Sequence, residues 1–419
     1  MNLAKNTRTR VMLAAPLEAQ VSVARNHGPV DPVLAAVVIA LIGFGVVMVY
    51  SASAVQATVQ HGDPQFYLKR QAAYATTAMI TLYAVSRLDY HRLYKLTYVM
   101  LAGVGGLLIA CVVGFGHSGG GATRWLAVGP VHVQPAEMAK LAIVLWLAYS
   151  LAKKAEQVKT FAVGFLPHLL VAGLFMFLCM KQPDFGSAIV LLLLTFTLLF
   201  VAGAKIGYIL GASILGGAFG AAAIRFREYR YERYLAWLNM DAHKQDLAYQ
   251  PFQSVMSFGS GGPWGVGLGH GLQTLYLPEA HTDFVAAIVG EELGFVGIAL
   301  LCATYLMLVV RGVRAALRAP DDYGSYLAFG IAAMFGIQAL VNLAVALAIL
   351  PTKGLTLPFV SFGGSSLVVN AAAAAILLNI SRQGPRSLSD ETSPPPSVMV
   401  GSGKREATGA GLAAGGAPS

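Results

Sequence analysis

Ten long runs of apolar residues constrain the fold of this chain more than any other feature. Most of them approach the roughly 20 residues that an α-helix needs to cross a bilayer. They lie at about 32–53, 71–86, 93–114, 136–151, 161–180, 187–203, 205–224, 284–310, 324–350 and 364–381. Only 12% of residues are charged, against about 25% in soluble domains. The sequence therefore predicts an all-α polytopic membrane protein with ten transmembrane helices.

The Lys and Arg residues predict the orientation, because short cytoplasmic loops retain positive charge during insertion. Most of the 29 Lys and Arg residues fall on the cytoplasmic side if both termini are inside. The membrane domain then covers residues 31–381, with a large extracytoplasmic loop at 225–283 between helices 7 and 8. Residues 1–30 and 382–419 are expected to be disordered cytoplasmic tails, and no cleaved signal peptide precedes the first span.

The net charge of +9 does not point to nucleic acid, because the topology explains most of the excess and no soluble basic domain is present. Cys111, Cys179 and Cys302 each lie within a different apolar run, so neither a disulfide nor a metal site is indicated. The nine histidines show no ligand spacing, and no structural metal is predicted.

Asp283 is the first candidate for chemistry. It lies in the run Leu277 to Phe284, directly before a long apolar stretch that reads as a spanning helix. A carboxylate at the edge of hydrocarbon is partly desolvated, which raises its pKa and its basicity while leaving it within reach of a water-borne hydroxyl. Glu291 and Glu292 lie deeper along the same predicted helix. They are interpreted either as polar packing or as part of a cavity that transmits activation.

Other external polar residues suit anions. Arg124 offers a planar guanidinium that matches phosphate, and Lys353 is a lone external cation in an apolar, kinked segment. Glu137 and Lys140 are three residues apart and share one helix face. Their pairing is either an intrahelical ion pair that lets Lys140 be buried, or a functional pairing, and the spacing does not choose between them.

Three further segments have a structural and a functional interpretation. Asp184 lies in a tight turn and is expected to cap the sixth helix. Residues 225–237 alternate cations, including Arg230 and Arg233, with aromatic residues, which indicates an interfacial anchor, a binder of anionic headgroups, or both. Residues 265–271 only superficially match a dinucleotide fingerprint, because no strand precedes them, and flexible packing against the membrane is expected instead.

Several motifs together carry a family resemblance. The segments 250–254 (QPFQS), 265–269 (GVGLG), 277–284 (LPEAHTDF), 290–294 (GEELG) and 353–358 (KGLTLP) resemble, in order, those of the SEDS family of peptidoglycan polymerases. Within that family, the chain is more similar to the branch that acts in cell division than to the branch that acts in elongation. The resemblance covers about residues 30–381.

The resemblance implies a glycosyltransferase that polymerises lipid II into β-1,4 glycan strands at the division septum, in the bacterial inner membrane. It implies inversion, with Asp283 matching the essential aspartate of the family. It also implies a class B penicillin-binding protein and other division proteins as partners, and it leaves open a divalent cation at the lipid pyrophosphate. The candidate substrate-binding residues are Arg124, Glu137, Lys140, Arg230, Arg233, His281 and Lys353.

A lipid II flippase is the main alternative, because broken segments and intramembrane carboxylates also describe transporters. A flippase needs a polar path through the midplane, whereas most polar motifs here cluster on one face. A scaffold that only recruits division proteins would not need Asp283.

Overall fold

The structure is a computed structural model that describes residues 28–119, 122–129, 131–226 and 228–383. The tails predicted at 1–30 and 382–419 fall almost entirely outside these ranges. The α-helices are α1 (Pro32–His61), α2 (Phe66–Ser86), α3 (His91–Ala110), α4 (Pro135–Lys153), α5 (Leu166–Lys181), α6 (Phe185–Val201), α7 (Ile206–Arg225), α8 (Glu228–Leu238), α9 (Tyr249–Gly261), α10 (Val285–Glu292), α11 (Gly294–Arg318), α12 (Asp322–Ala346) and α13 (Gly364–Arg382).

Within the described ranges, seven helices are long and apolar enough to cross a membrane. They are α1, α3 with its π-helical extension to Phe115, α4, α5 with the π-helical turn before it, α11, α12 and α13. Two shorter apolar helices correspond to α6 and to most of α7. The prediction of a multi-pass helical membrane protein is confirmed.

The segment between α3 and α4 departs from the all-α prediction. It forms a three-stranded antiparallel sheet of β1 (His117–Gly119), β2 (Ala122–Val128) and β3 (Val131–Val133), in the order β1-β2-β3. A connecting segment that is not helical must satisfy its backbone hydrogen bonds in another way, and pairing as hairpins does so. Leu126 pairs with Val133 in this sheet, which fixes the register of the strand that carries Arg124.

The single helix expected over 284–310 is also wrong, because the structure breaks it between α10 and α11. Gly294 has φ +66°, a conformation that favours glycine. The backbone N–H groups of Phe295 and Val296 donate to the carbonyls of Gly262 and Pro263, at 2.9 and 3.1 Å. The preceding loop thus satisfies the donors that a helix start leaves unpaired.

Contacts between helix ends define two opposite ends of the bundle. At the first, which we call the terminal end, Arg311 pairs with Asp31 at 2.6 Å, and Arg382 contacts the backbone of Gly28. At the second, which we call the site end, the ring of Tyr67 contacts that of His281 in a tilted arrangement. Helix α13 begins beside Phe362, which contacts His281, and ends at Arg382 after 19 residues, so the two ends are about 30 Å apart.

Helix α4 is the most enclosed of the candidate spans, with 89% of its apolar window buried. The corresponding window of α12 is 61% buried. Polar side chains on these two helices therefore have protein groups rather than lipid around them, which allows charged residues at membrane depth.

Candidate functional site

Asp283 lies in the short loop before α10, and its side chain is half-buried. Its carboxylate and the guanidinium of Arg124 both approach Gly354. A Cβ added to Gly354 would lie 3.0 Å from Oδ2 of Asp283 and 3.2 Å from Nη1 of Arg124. The absence of a side chain at Gly354 thus lets a carboxylate and a guanidinium both approach this position at the site end.

Asn342 of α12 fixes the backbone around this contact. Its Nδ2 donates to the carbonyl of Asp283 at 3.0 Å and to the carbonyl of Leu355 at 2.6 Å. One side chain therefore joins the loop that carries Asp283 to the loop that carries Gly354. Asn342 binds the carbonyl of Asp283 and not its carboxylate, which is left for other partners.

Arg124 enters the site from β2. Its Nη2 donates to the carbonyl of Pro183 at 2.6 Å, while its Nε is buried without a hydrogen-bond partner in the described part of the chain. The neighbouring Asp184 accepts from the N–H of Ser187 at 3.0 Å, which is the predicted cap of the sixth helix. The turn before α6 is thereby held against the sheet.

The pKa of Asp283 is raised to about 7. Burial is the largest cause, because it disfavours the ionised carboxylate. The charge of Glu279 raises this pKa further, that of Arg124 lowers it and that of Asp184 raises it. A carboxylate with a pKa near neutrality is well matched to accepting a proton from a hydroxyl.

Lys353 is next to Gly354 in the chain, and its Nζ lies 5.0 Å from the ring centroid of Phe185. Two of the predicted cations, Arg124 and Lys353, therefore border the segment that faces Asp283. They thus bring two cations close to the carboxylate of Asp283.

His281 lies in an aromatic cluster. Its ring centroid is 4.5 Å from that of Tyr67 and 5.5 Å from that of Phe362. Its carbonyl accepts from the N–H of Phe362 at 2.9 Å. Burial lowers the pKa of His281, so the ring is neutral near pH 7. These contacts give His281 a packing role in the loop that carries Asp283.

Glu137 and Lys140 form an ion pair at 2.8 Å, and both side chains are buried. Ser366 donates to Glu137 at 3.2 Å, and Lys140 donates to Gln338. The structure therefore contains the intrahelical pair that the spacing allows, embedded in a polar network. Gln338 lies one helical turn before Asn342, so α12 connects this network to the Asp283 loop.

The basic residues of the long loop lie on α8. Arg233 donates to Oε1 of Gln250 at 3.1 Å. Arg230 lies on the same helix, but its side chain is outside the described part of the structure. At the start of the loop, the guanidinium of Arg225 lies 4.6 Å from the ring centroid of Tyr231. A largely apolar cavity lies beside this contact, between α7 and α8.

Glu291 and Glu292 bind the loop before them. Oε1 of Glu291 accepts from the N–H groups of Leu272 and Gln273 at 2.9 and 3.1 Å, and Glu292 accepts from Oγ of Ser51 at 2.6 Å. The backbone carbonyls of the two glutamates accept from residues 266 and 267. The backbone of segment 265–271 thus packs against α10, while the side chains of Val266 and Leu268 are exposed, so its packing against the membrane stays a prediction.

The described residues contain no group of three or more His, Cys, Asp or Glu side chains arranged to hold a metal ion. Near Asp283, Asp184 already caps α6, and Glu279 accepts from the hydroxyl of Thr282 at 2.7 Å. A divalent cation at the lipid pyrophosphate stays an expectation of the resemblance, because Mg²⁺ is commonly held by one or two carboxylates together with substrate phosphates.

Sequence reasoning did not identify Asn342, Gln338 and Gly354. The two amides carry a signal, since they lie four residues apart in an apolar helix, where a polar group needs a partner. Gly354 carries no such signal for its role in the site, because that role depends on which groups approach it in space.

Comparisons with known proteins agree with this architecture. The family described as cell cycle proteins, represented by FtsW, RodA and SpoVE, matches residues 32–385. A probable peptidoglycan glycosyltransferase FtsW of Geobacter metallireducens is 44% identical over 353 residues, covering 84% of this chain and 94% of the relative. Stage V sporulation protein E of Bacillus subtilis is 36% identical, covering 84% of this chain and 97% of the relative.

Solved structures show the same fold. A structure described as the structural coordination of polymerization and crosslinking by a peptidoglycan synthase complex has a TM-score of 0.68 and 30% identity, covering 84% of this chain and 98% of the other. The rod shape determining protein RodA of Thermus thermophilus has a TM-score of 0.63 and 29% identity, covering 85% and 98%. The similarity to SEDS proteins inferred from the motifs is confirmed.

Proposed function

This chain belongs to the FtsW, RodA and SpoVE family of cell cycle proteins, and from that premise we propose how it acts as a peptidoglycan glycosyltransferase. Asp283 is the general base, and Arg124 and Lys353 bind the pyrophosphate of lipid II. The reaction joins disaccharide units into β-1,4 glycan strands at the outer face of the membrane.

In the proposed reaction, the 4-hydroxyl of an N-acetylglucosamine attacks the anomeric carbon of a second lipid-linked sugar. Asp283 takes the hydroxyl proton as the new glycosidic bond forms. The bond from the anomeric carbon to the pyrophosphate oxygen breaks, and its electron pair leaves with the lipid pyrophosphate. Direct displacement inverts the anomeric centre, so no covalent enzyme intermediate is needed. Cations beside the leaving group stabilise its developing charge.

The observation that carries this proposal is the approach of Asp283 and Arg124 over Gly354. An acid with a pKa near 7 and a guanidinium face the same small space, where one can accept a proton and the other can hold a phosphate. Burial at this end of the molecule lowers the local dielectric and strengthens both interactions.

The proposed topology has ten spans. Seven come from the long apolar helices, and α2, α6 and α7 supply the others. The site end then faces the outside with the loop 225–283, and both termini face the cytoplasm. This arrangement agrees with the positive residues of the short loops.

The long loop provides the first binding site for lipid II. Helix α8 carries Arg230 and Arg233 in a basic and aromatic sequence typical of interfacial helices. The apolar cavity between α7 and α8 is lined by residues such as Gly217, Phe226 and Tyr234, and it suits a prenyl chain. In this proposal, the lipid first binds there and then presents its pyrophosphate to Arg124.

A class B penicillin-binding protein is the proposed partner, because the glycan needs a transpeptidase to crosslink it. The similarity to a peptidoglycan synthase complex that coordinates polymerization and crosslinking supports this partner. The septum is the proposed location, given the similarity to FtsW proteins.

The test is gel-resolved glycan synthesis from labelled lipid II, with the protein co-purified with its class B penicillin-binding protein. Wild type and the control Asp241→Asn, an exposed aspartate of the same loop, are expected to make polymer. Asp283→Asn is expected to lose polymer formation while retaining expression and partner binding. Substantial polymer from Asp283→Asn would remove that residue from the role of base. Transport of lipid II across vesicles that depends on Asp283, without polymer from wild type, would favour the flippase.

A further inference from the structure

A cavity of about 210 Å³ lies at the terminal end of the bundle, remote from Asp283. Its lining is dominated by arginines of α11, with contributions from the starts and ends of two other spans. The lining residues are Asp31, Arg311, Arg314, Ala315, Arg318 and Ser381. The volume corresponds to roughly seven water molecules, which is room enough for a phosphate group.

The charges around this cavity do not cancel. Arg311 is paired with Asp31 at 2.6 Å, and that carboxylate also caps the first turn of α1. Arg314 and Arg318 are exposed and have no acidic partner within the described residues. The Nε of Arg311 is buried without a hydrogen-bond partner in the same part of the chain. The cavity thus presents guanidinium N–H donors that are available to bind an anion.

The spacing of the three arginines places them on one face of α11. Positions 311, 314 and 318 follow the three- and four-residue steps that bring side chains together on a helix surface. The cations also lie in the last turns of α11, where a helix end favours positive charge. The preference of a helix end for positive charge accounts for the position of these arginines. It supplies no anion for the N–H donors of Arg314 and Arg318.

The surroundings indicate a lipid rather than a soluble anion. Leu317, next to Arg318, is 82% exposed, and Val310, next to Arg311, is 51% exposed. Exposed apolar residues on a membrane span face the acyl chains. The arginines therefore lie where hydrocarbon gives way to headgroups. Basic pockets between spans at this level are typical binding sites for anionic headgroups.

We propose that the cavity bounded by Arg311, Arg314 and Arg318 binds the phosphate of an anionic phospholipid in the adjacent leaflet. The guanidinium groups hold the phosphate, and the acyl chains lie along the exposed apolar side of α11. The bound lipid links α1, α11 and α13 at the terminal end. This site is separate from the transferase site and about 30 Å from it, the length of α13.

The test measures lipid binding to the full-length purified protein in detergent. Native mass spectrometry counts retained phosphatidylglycerol against phosphatidylcholine, and thermal unfolding is followed with each lipid. Arg311 is left intact because its pairing with Asp31 supports the fold. The variant is Arg314→Gln with Arg318→Gln, and the matched control is Arg92→Gln, an exposed arginine at the same end.

Wild type and Arg92→Gln are expected to prefer phosphatidylglycerol and to gain thermal stability from it. The double variant is expected to bind it roughly 30-fold more weakly, the effect of two cations at a membrane surface. If Arg92→Gln weakens the binding of phosphatidylglycerol equally, general surface charge explains the loss and the proposal is wrong. If millimolar inorganic phosphate stabilises wild type as much as the lipid does, the anion is a free phosphate and the lipid assignment is wrong.

Discussion

Asn342 binds Asp283 through the backbone carbonyl, at 3.0 Å, and not through the carboxylate. The distinction matters for a general base, because a hydrogen bond to the ionised carboxylate would lower its basicity. Through the same nitrogen, Asn342 also binds the carbonyl of Leu355. The side chain therefore joins the loop that carries Asp283 to the loop that carries Gly354, the residue that Arg124 also approaches.

Replacing Asn342 by alanine is expected to lower kcat for polymerisation about 10- to 100-fold, since small displacements of a catalytic group cost that much. The pH midpoint of the rate should stay where it is, because the carboxylate keeps its charged neighbours. Kinetics with labelled lipid II across pH would measure both quantities.

The matched control for that change is Asn379→Ala, which removes a buried amide at the terminal end. It is expected to reduce stability without changing the rate per folded molecule. Equal losses of rate in the two variants would show that Asn342 acts only through stability.

The rate of polymerisation is expected to rise with pH around 7. Asp283 acts as a base only when ionised, and its pKa is raised to about 7 by burial and by Glu279. At pH 6 roughly a tenth of the molecules carry the ionised form, and at pH 8 most do. A pH profile of kcat/KM at constant ionic strength would show this rise of the rate with pH.

Variants that remove a charge next to Asp283 should shift the pH profile of the rate in a direction that depends on the sign of that charge. Glu279→Gln removes a charge that raises the pKa of Asp283, so the profile should move to lower pH. Arg124→Gln removes a charge that lowers this pKa, so the profile should move to higher pH, with a fall in rate. Shifts in the opposite directions would contradict Asp283 as the titrating group.

Gly354→Ala is expected to reduce the rate more than tenfold while leaving the fold intact. The added methyl group would lie 3.0 Å from Oδ2 of Asp283 and 3.2 Å from Nη1 of Arg124, closer than ordinary contact, and would push them apart. Gly363→Ala is the control, because its Cβ would meet its nearest neighbour at 3.5 Å. The comparison is polymer yield per folded protein, and an active Gly354→Ala would show that the approach is not needed.

Much of this arrangement could be predicted from the sequence, because hydrocarbon imposes simple rules. Apolar length located most of the long apolar helices, and the position of its carboxylate before an apolar run marked Asp283 as a candidate. The break at Gly294 was not predicted, because apolar residues lie on both sides of it and the carbonyls that stabilise it, those of Gly262 and Pro263, belong to the loop after α9. Asn342 carries a signal as an amide in an apolar helix, but its partners could not be predicted, because they are backbone carbonyls, which every residue carries.

The buried pair of Glu137 and Lys140 allows a test of structure against function. Removing one charge leaves the other buried and unpaired, which costs about 3 to 5 kcal/mol. Both Glu137→Gln and Lys140→Met should therefore unfold at lower temperature than wild type. The double variant should recover most of that stability, because no charge is left uncompensated.

Activity of the double variant then decides the role of the pair. We expect recovered stability without recovered polymerisation, since the network around Lys140 joins α12 one turn from Asn342 and its loss changes the support of the site. Unfolding temperature and glycan yield, measured on the same preparations, give the two readouts. If glycan yield recovers together with stability, the pair serves only to hold α4 in the core.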